Sequence, residues 1–114
     1  MRILNRTRGT ELASDARAAH SPWSRMVGLL GRASLAPGEG LLIDPCSSVH
    51  TAFMRFPIDL IYLDRERTVV KVVPNLRPFR ASAVLGGARS VVELPVGVIE
   101  RSATQPGDEL DFED

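Results

Sequence analysis

Two apolar and β-branched runs, Ile58–Leu63 and residues 68–73, are separated only by the polar Asp64-Arg-Glu-Arg67. Runs of this kind suit a pleated, buried surface, and a four-residue polar link suits a hairpin. Parallel neighbours need a crossover of a dozen or more residues, so these two strands are predicted antiparallel. A doubly wound α/β sheet is thereby excluded. The rest of the chain keeps the same short rhythm. Arg2–Asn5 and Thr10–Ala13 flank Arg6-Thr-Arg-Gly9, which reads as a hairpin. Further strands are expected over 40–43, 49–54, Ser90–Leu94 and 109–112, with a helical turn over 96–103. Residues 74–87, with two prolines and two adjacent glycines, read as irregular.

One segment carries a clear helix signal. Ser21 can cap, Pro22 suits the first helical position, and Trp23, Met26, Val27 and Leu30 recur at helical spacing. Gly31 then ends it. The expected architecture is a mainly β, antiparallel two-layer sandwich or barrel-like fold with one or two short helices. At 114 residues the chain is the size of one domain, spanning 1–114.

Composition narrows the function classes. The hydrophobic fraction of 44% and charged fraction of 25% are those of a soluble globular protein. Net charge is zero, and the arginines run from Arg2 to Arg101 with no basic block, which argues against nucleic acid. No stretch approaches the apolar length of a membrane span or a secretion signal, so no membrane partner is expected and the cytoplasm is the expected address. Cys46 is the only cysteine, so no intramolecular disulfide supports the fold.

Chemistry concentrates in residues 45–64. Cys46 and His50 suggest a thiol–imidazole pair, but four extended steps separate them by about 13 Å, too far for a nucleophile and its base. The same spacing, with neither CxxC nor HExxH and two histidines in all, gives no zinc site and no cofactor motif. The ordinary reading of Cys46 is a small buried hydrophobe. His50 sits in a strand whose alternation sets His50, Ala52 and Met54 against Val49, Thr51 and Phe53. Arg55 and Asp59 bracket Phe56-Pro57-Ile58. They read either as a salt bridge fixing a reversal or as an anion-recognising arginine steadied by a carboxylate. Asp64 reads as an Asx-type turn residue.

Gly28-Leu-Leu-Gly-Arg32, Gly40-Leu-Leu-Ile43 and the run from Val49 through His-Thr-Ala-Phe-Met-Arg-Phe-Pro-Ile-Asp to Asp64 resemble successive signatures of domain of unknown function 192. Val92-Glu-Leu-Pro-Val-Gly97 and Pro106-Gly-Asp108 resemble its C-terminal ones, and the resemblance covers about 17–112. Leu30 stands where the family often has methionine, and Ala52 where a bulky aromatic is common, which leaves room beside His50. The resemblance implies a β-sandwich-like fold with a short helix, found in bacteria and archaea, and no established activity. Many relatives carry secretion signals. The family-like polar positions that are not turn residues are His50, Thr51, Arg55, Asp59 and Glu93, and these form the candidate site.

Three readings follow. In the first, the protein is a binding module whose pocket takes a small polar or anionic ligand. Arg55 supplies charge, His50 and Thr51 supply hydrogen bonds, and Phe53 and Phe56 supply walls. In the second, it is an enzyme using His50 as acid or base, oriented by Asp59 or Glu93. In the third, it is an accessory protein that binds a partner through an edge strand. Binding is favoured, because no nucleophile and base stand at usable spacing.

Overall fold

The structure, a computed structural model, describes residues 1–20, 34–52 and 54–114. Among them the first five strands are β1 (Arg2–Asn5), β2 (Thr10–Ala13), β3 (Asp15–Ala19), β4 (Glu39–Ile43) and β5 (Ser48–His50). There follow β6 (Ile58–Leu63), β7 (Val69–Leu76), β8 (Ala81–Ala83) and β9 (Ser90–Leu94), then helix α1 (Val98–Ser102) and β10 (Leu110–Glu113). The fold is mainly β, as the sequence predicts. The helix expected over 22–30, with Trp23 and Leu30, lies outside the described residues.

The strands make a five-stranded sheet in the order β3-β4-β9-β6-β7, a three-stranded sheet β10-β1-β2, and a two-stranded ribbon β5-β8. Both expected hairpins form. Leu4 pairs with Glu11 across β1–β2, and Ile61 with Val72 across β6–β7. The β6–β7 turn is built by Asp64, whose Oδ1 accepts from the Glu66 and Thr68 amides at 2.9 Å each. That is the Asx geometry expected of it.

Three local expectations change. The strand expected over 49–54 stops at His50, and the irregular stretch 74–87 holds the end of β7 and all of β8. β3 was not foreseen, and its pairing with β4 is parallel, Asp15 opposite Glu39 through Ala19 opposite Ile43. Its sequence, Asp-Ala-Arg-Ala-Ala, carries little strand propensity, because alanine offers scant surface to pack on a pleat. Space explains the choice. A Cβ on Gly40 would stand 3.2 Å from that of Ala13, 3.5 Å from that of Ala16 and 3.1 Å from Leu94 Cδ2. The backbones meet too closely here for larger side chains.

The five-stranded sheet is covered on both faces. On one face Ile61, Leu63, Val92 and Leu94 pack with Ile3 and Leu12 of the three-stranded sheet and with Val98 and Ile99 of α1. On the other, Ile58, Leu60, Tyr62 and Val91 pack with Val49, Met54 and Phe56. All six residues of β6 are consequently buried.

Asp59 is the one carboxylate in that strand, and it is 1% exposed. Its Oδ1 accepts from the Asn75 amide at 2.9 Å, and its Oδ2 accepts from Gly97 at 3.1 Å and Ile99 at 3.0 Å. A single side chain thus ties the end of β7 to the first turn of α1, whose leading N–H groups need partners from outside the helix. The alternative of an Arg55–Asp59 bridge is not realised. Arg55 is exposed, and among the described residues no ion pair joins the two.

A second polar cluster joins the two ends of the chain. Asp108 Oδ2 accepts from Asn5 Nδ2 at 3.0 Å, Arg8 Nε at 3.1 Å and the Gln105 amide at 3.0 Å. Asn5 also donates to Thr104 Oγ1 at 3.0 Å. Burial by itself raises the Asp108 pKa, but the bonds from Asn5, Arg8 and Gln105 and the charge of Arg8 outweigh it, so the carboxyl titrates below its ordinary value of 3.8.

Two outcomes are expected. Asp59→Ala leaves three amides without their acceptor and should cost about 2–4 kcal/mol in urea unfolding, whereas a loss under about 1 kcal/mol would show the three bonds to be dispensable. For Asp108, the folded pKa lies below the unfolded one, so its contribution is complete above about pH 4 and is lost as pH falls through the folded value. The stability gap between the native protein and Asp108→Asn should accordingly narrow on acidification below about pH 4, and a gap independent of pH would contradict the assignment.

Candidate functional site

β5 and β8 pair antiparallel, Ser48 opposite Ala83, Val49 opposite Ser82 and His50 opposite Ala81. Strand alternation buries Val49 and leaves Ser48 and His50 exposed. After His50 the chain turns, with the Met54 amide donating to the Thr51 carbonyl at 3.1 Å. This turn sends Met54 into the core, although simple alternation would group it with His50.

Thr51 is fully buried and all its polar groups are used. Its amide donates to the Arg80 carbonyl at 2.8 Å, and its carbonyl accepts from the Phe79 amide at 3.0 Å. Its hydroxyl donates to the Arg77 carbonyl and accepts from the Arg80 amide at 2.9 Å. Thr51 therefore holds the turn Arg77-Pro78-Phe79-Arg80. Within that turn Phe79 adopts φ 60°, a conformation uncommon for a bulky residue, and its side chain stays 70% exposed. Arg77 and Arg80 flank it, both exposed.

The five residues expected to form one site divide into three groups. His50, Thr51 and Arg55 share one short segment, with Thr51 buried beneath it. Asp59 lies opposite Leu94 and faces the α1 side of the sheet, while Glu93 lies opposite Leu60 and Leu41 and faces the other side, fully buried. No hydrogen bond joins His50 to either carboxylate. The acid–base arrangement drawn from Asp59 is thus closed, because that carboxylate is committed to three amides. Phe56 is buried at 6% exposure and cannot wall an open pocket, and Phe53 lies outside the described residues.

The sequence reading missed Arg77, Phe79 and Arg80. A signal for them exists. No Asp or Glu occurs between Asp44 and Asp59, nor between Glu66 and Glu93. The arginines look scattered along the chain, but β5–β8 pairing brings these two acid-free stretches together. Arg55, Arg77 and Arg80 have no carboxylate partner among the described residues. Beside them the ribbon carries a shallow, open groove of about 290 Å³ along His50, Ser48, Ala81 and Ala83.

A larger open depression of about 780 Å³ lies elsewhere, between Cys46, Asp64, Arg65, Glu66, Val70 and Arg89. Its charges are mixed, and Arg89 is held by Asp44 at 2.8 Å. The half-buried Cys46 thiol donates to the Ser48 carbonyl at 3.1 Å. Among the described residues no group of three His, Cys, Asp or Glu side chains is placed to hold a metal ion. Nor is any described helix long and apolar enough to cross a membrane.

Comparison with known proteins agrees with the fold and the central segment. Residues 3–112 match domain of unknown function 192, described as Uncharacterized ACR. The chain belongs to that family. A UPF0127 protein of Thermococcus sibiricus is 33% identical over 118 aligned residues, covering 97% of this chain and 74% of its own. A UPF0127 protein of Pyrococcus furiosus is 33% identical over 116, covering 96% of this chain and 97% of its own. A Novosphingobium aromaticivorans protein of unknown function superposes with a TM-score of 0.79 at 19% identity, over 97% of this chain and 82% of that one. A Sinorhizobium meliloti protein gives 0.80 at 23% identity, over 96% and 89%. At such identities the two structures speak for a shared fold.

Removing the Thr51 hydroxyl tests the clamp. Thr51→Val strands the Arg80 amide and should cost about 1–3 kcal/mol, with Thr51→Ser near native. Faster hydrogen exchange at Arg80 in the valine variant alone is the matching local readout, and equal stability of both variants would contradict the clamp.

Proposed function

We propose that this protein is a binding module for anionic ligands, with His50, Arg55, Arg77 and Arg80 as the recognition surface. The observation that carries this reading is that three exposed arginines, with no carboxylate partner among the described residues, lie on stretches of backbone that meet at one buried threonine. Guanidinium groups recognise carboxylate and phosphate oxygens with charge-assisted, often paired hydrogen bonds. A patch of one sign also raises the local concentration of counter-charged ligand. The Thr51 carbonyl accepts from both Met54 and Phe79, so Arg55 and Arg80 each follow directly on a residue bound to the same oxygen. His50 adds a ring that can donate from either nitrogen when protonated. In this reading Thr51, Asp59 and Glu93 are scaffold, and the ligand contacts pass to the arginines.

Inorganic phosphate is the simplest probe. Titrated in low salt and followed by amide NMR, it should give saturable shifts confined to residues 48–55 and 77–83. Those shifts should weaken at about 0.15 M salt, where exposed charges are screened beyond about 8 Å. The double variant Arg77→Ser with Arg80→Ser should abolish them. Small, unsaturable shifts spread over the whole surface would defeat the proposal.

A further inference from the structure

Resting on the anion-binding reading, we infer that the occupant of this surface is an acidic peptide segment of another protein, with an apolar side chain that covers Phe79. Shape is the first reason. Small ligands gain affinity by being enclosed in a cleft, and the groove beside His50 is shallow and open. An exposed ring on a turn suits contact with another chain instead.

The second reason is the pairing of charge with apolar surface. Phe79 is 70% exposed and Leu85 is 99% exposed, and they stand at the two ends of β8. Both lie in the stretch between Glu66 and Glu93 that holds no carboxylate. A partner must therefore offer an apolar side chain for Phe79 and negative charge for Arg55, Arg77 and Arg80. A peptide mixing Glu or Asp with Leu or Phe meets both demands. Single-stranded nucleic acid would supply the charge and could stack on Phe79, but Phe79 is the one aromatic ring among the exposed large hydrophobic side chains of the described residues, so a second base finds none to stack on.

The third reason is rigidity. The Phe79 amide and the flanking Arg77 and Arg80 backbone are all bonded to Thr51. A side chain presented from a fixed backbone loses little conformational freedom on binding. Phe and Arg are also among the residue types enriched at protein interfaces.

The test is fluorescence anisotropy with a short labelled peptide in which Glu alternates with Leu, a Gln-for-Glu version of it, and a labelled oligo-dT. Saturable binding of the Glu peptide is expected, weakened about tenfold or more by Phe79→Ala and by the Arg77→Ser, Arg80→Ser pair. The Gln version and oligo-dT should bind far more weakly. Because Phe79 is exposed, Phe79→Ala should fold, and a native amide spectrum with intact phosphate shifts verifies this. Equal binding of the Gln version, preference for oligo-dT, or native peptide affinity in Phe79→Ala would overturn the inference. If the peptide fails while phosphate still gives its localised shifts, the anion-binding reading stands without it. If neither binds, both fall.

Discussion

Strand β6 has no solvent side, and the rest of the structure is arranged around that fact. A strand buried on both faces must be almost wholly apolar, and Ile58–Leu63 is apolar but for Asp59 and the phenol of Tyr62. A carboxylate in such a position is tolerable only where donors replace its lost water. Here three backbone amides do so, from β7, from the loop before α1 and from α1 itself. The aspartate turns the dry centre of the sheet into the point where the end of β7 and the start of α1 are fixed. It looked like a ligand residue in the sequence because it sits in the densest polar segment. Its neighbours in space give it a different task.

The same contrast runs through the site. Thr51 also spends its polar groups on backbone, and what it steadies is an exposed turn. A buried polar residue of this kind specifies geometry, and the chemistry passes to the side chains it presents. The functional surface proposed above therefore lies outside the core, on the turns beside a two-stranded ribbon that shares no backbone ladder with either larger sheet.

Much of the fold was legible before the structure. Residues 58–63 and 90–94 are pure strand runs, and Asp64 announces its turn, because local propensity and tertiary burial agree at those positions. β3 was illegible, since its alanines answer to close backbone approach near Gly40, a feature that no local pattern encodes. β8 hid among prolines and glycines, being only three residues long. The candidate site was half legible. His50 and Arg55 were found through their segment. Arg77 and Arg80 were not, because their meaning depends on a pairing between residues about thirty positions apart. Seen along the chain the arginines are dispersed, and only the lack of Asp and Glu in residues 45–58 and 67–92 marks the two stretches that β5–β8 pairing brings together.

The first strand of this protein finds its partner in the last. Arg2 lies opposite Glu113 and Asn5 opposite Leu110, and Asn5 and Arg8 share the carboxylate of Asp108. The β1–β2 hairpin forms from neighbouring residues, whereas β10 comes from about a hundred positions further along, and the small sheet is complete only when β10 docks. Until then Ile3 and Leu12 lack much of their cover, and β1 offers an open edge to any neighbouring strand. Contacts of such long sequence separation also slow folding. Docking of β10 is thus the step that covers β1, and before it that open edge is where association with another chain is most favoured.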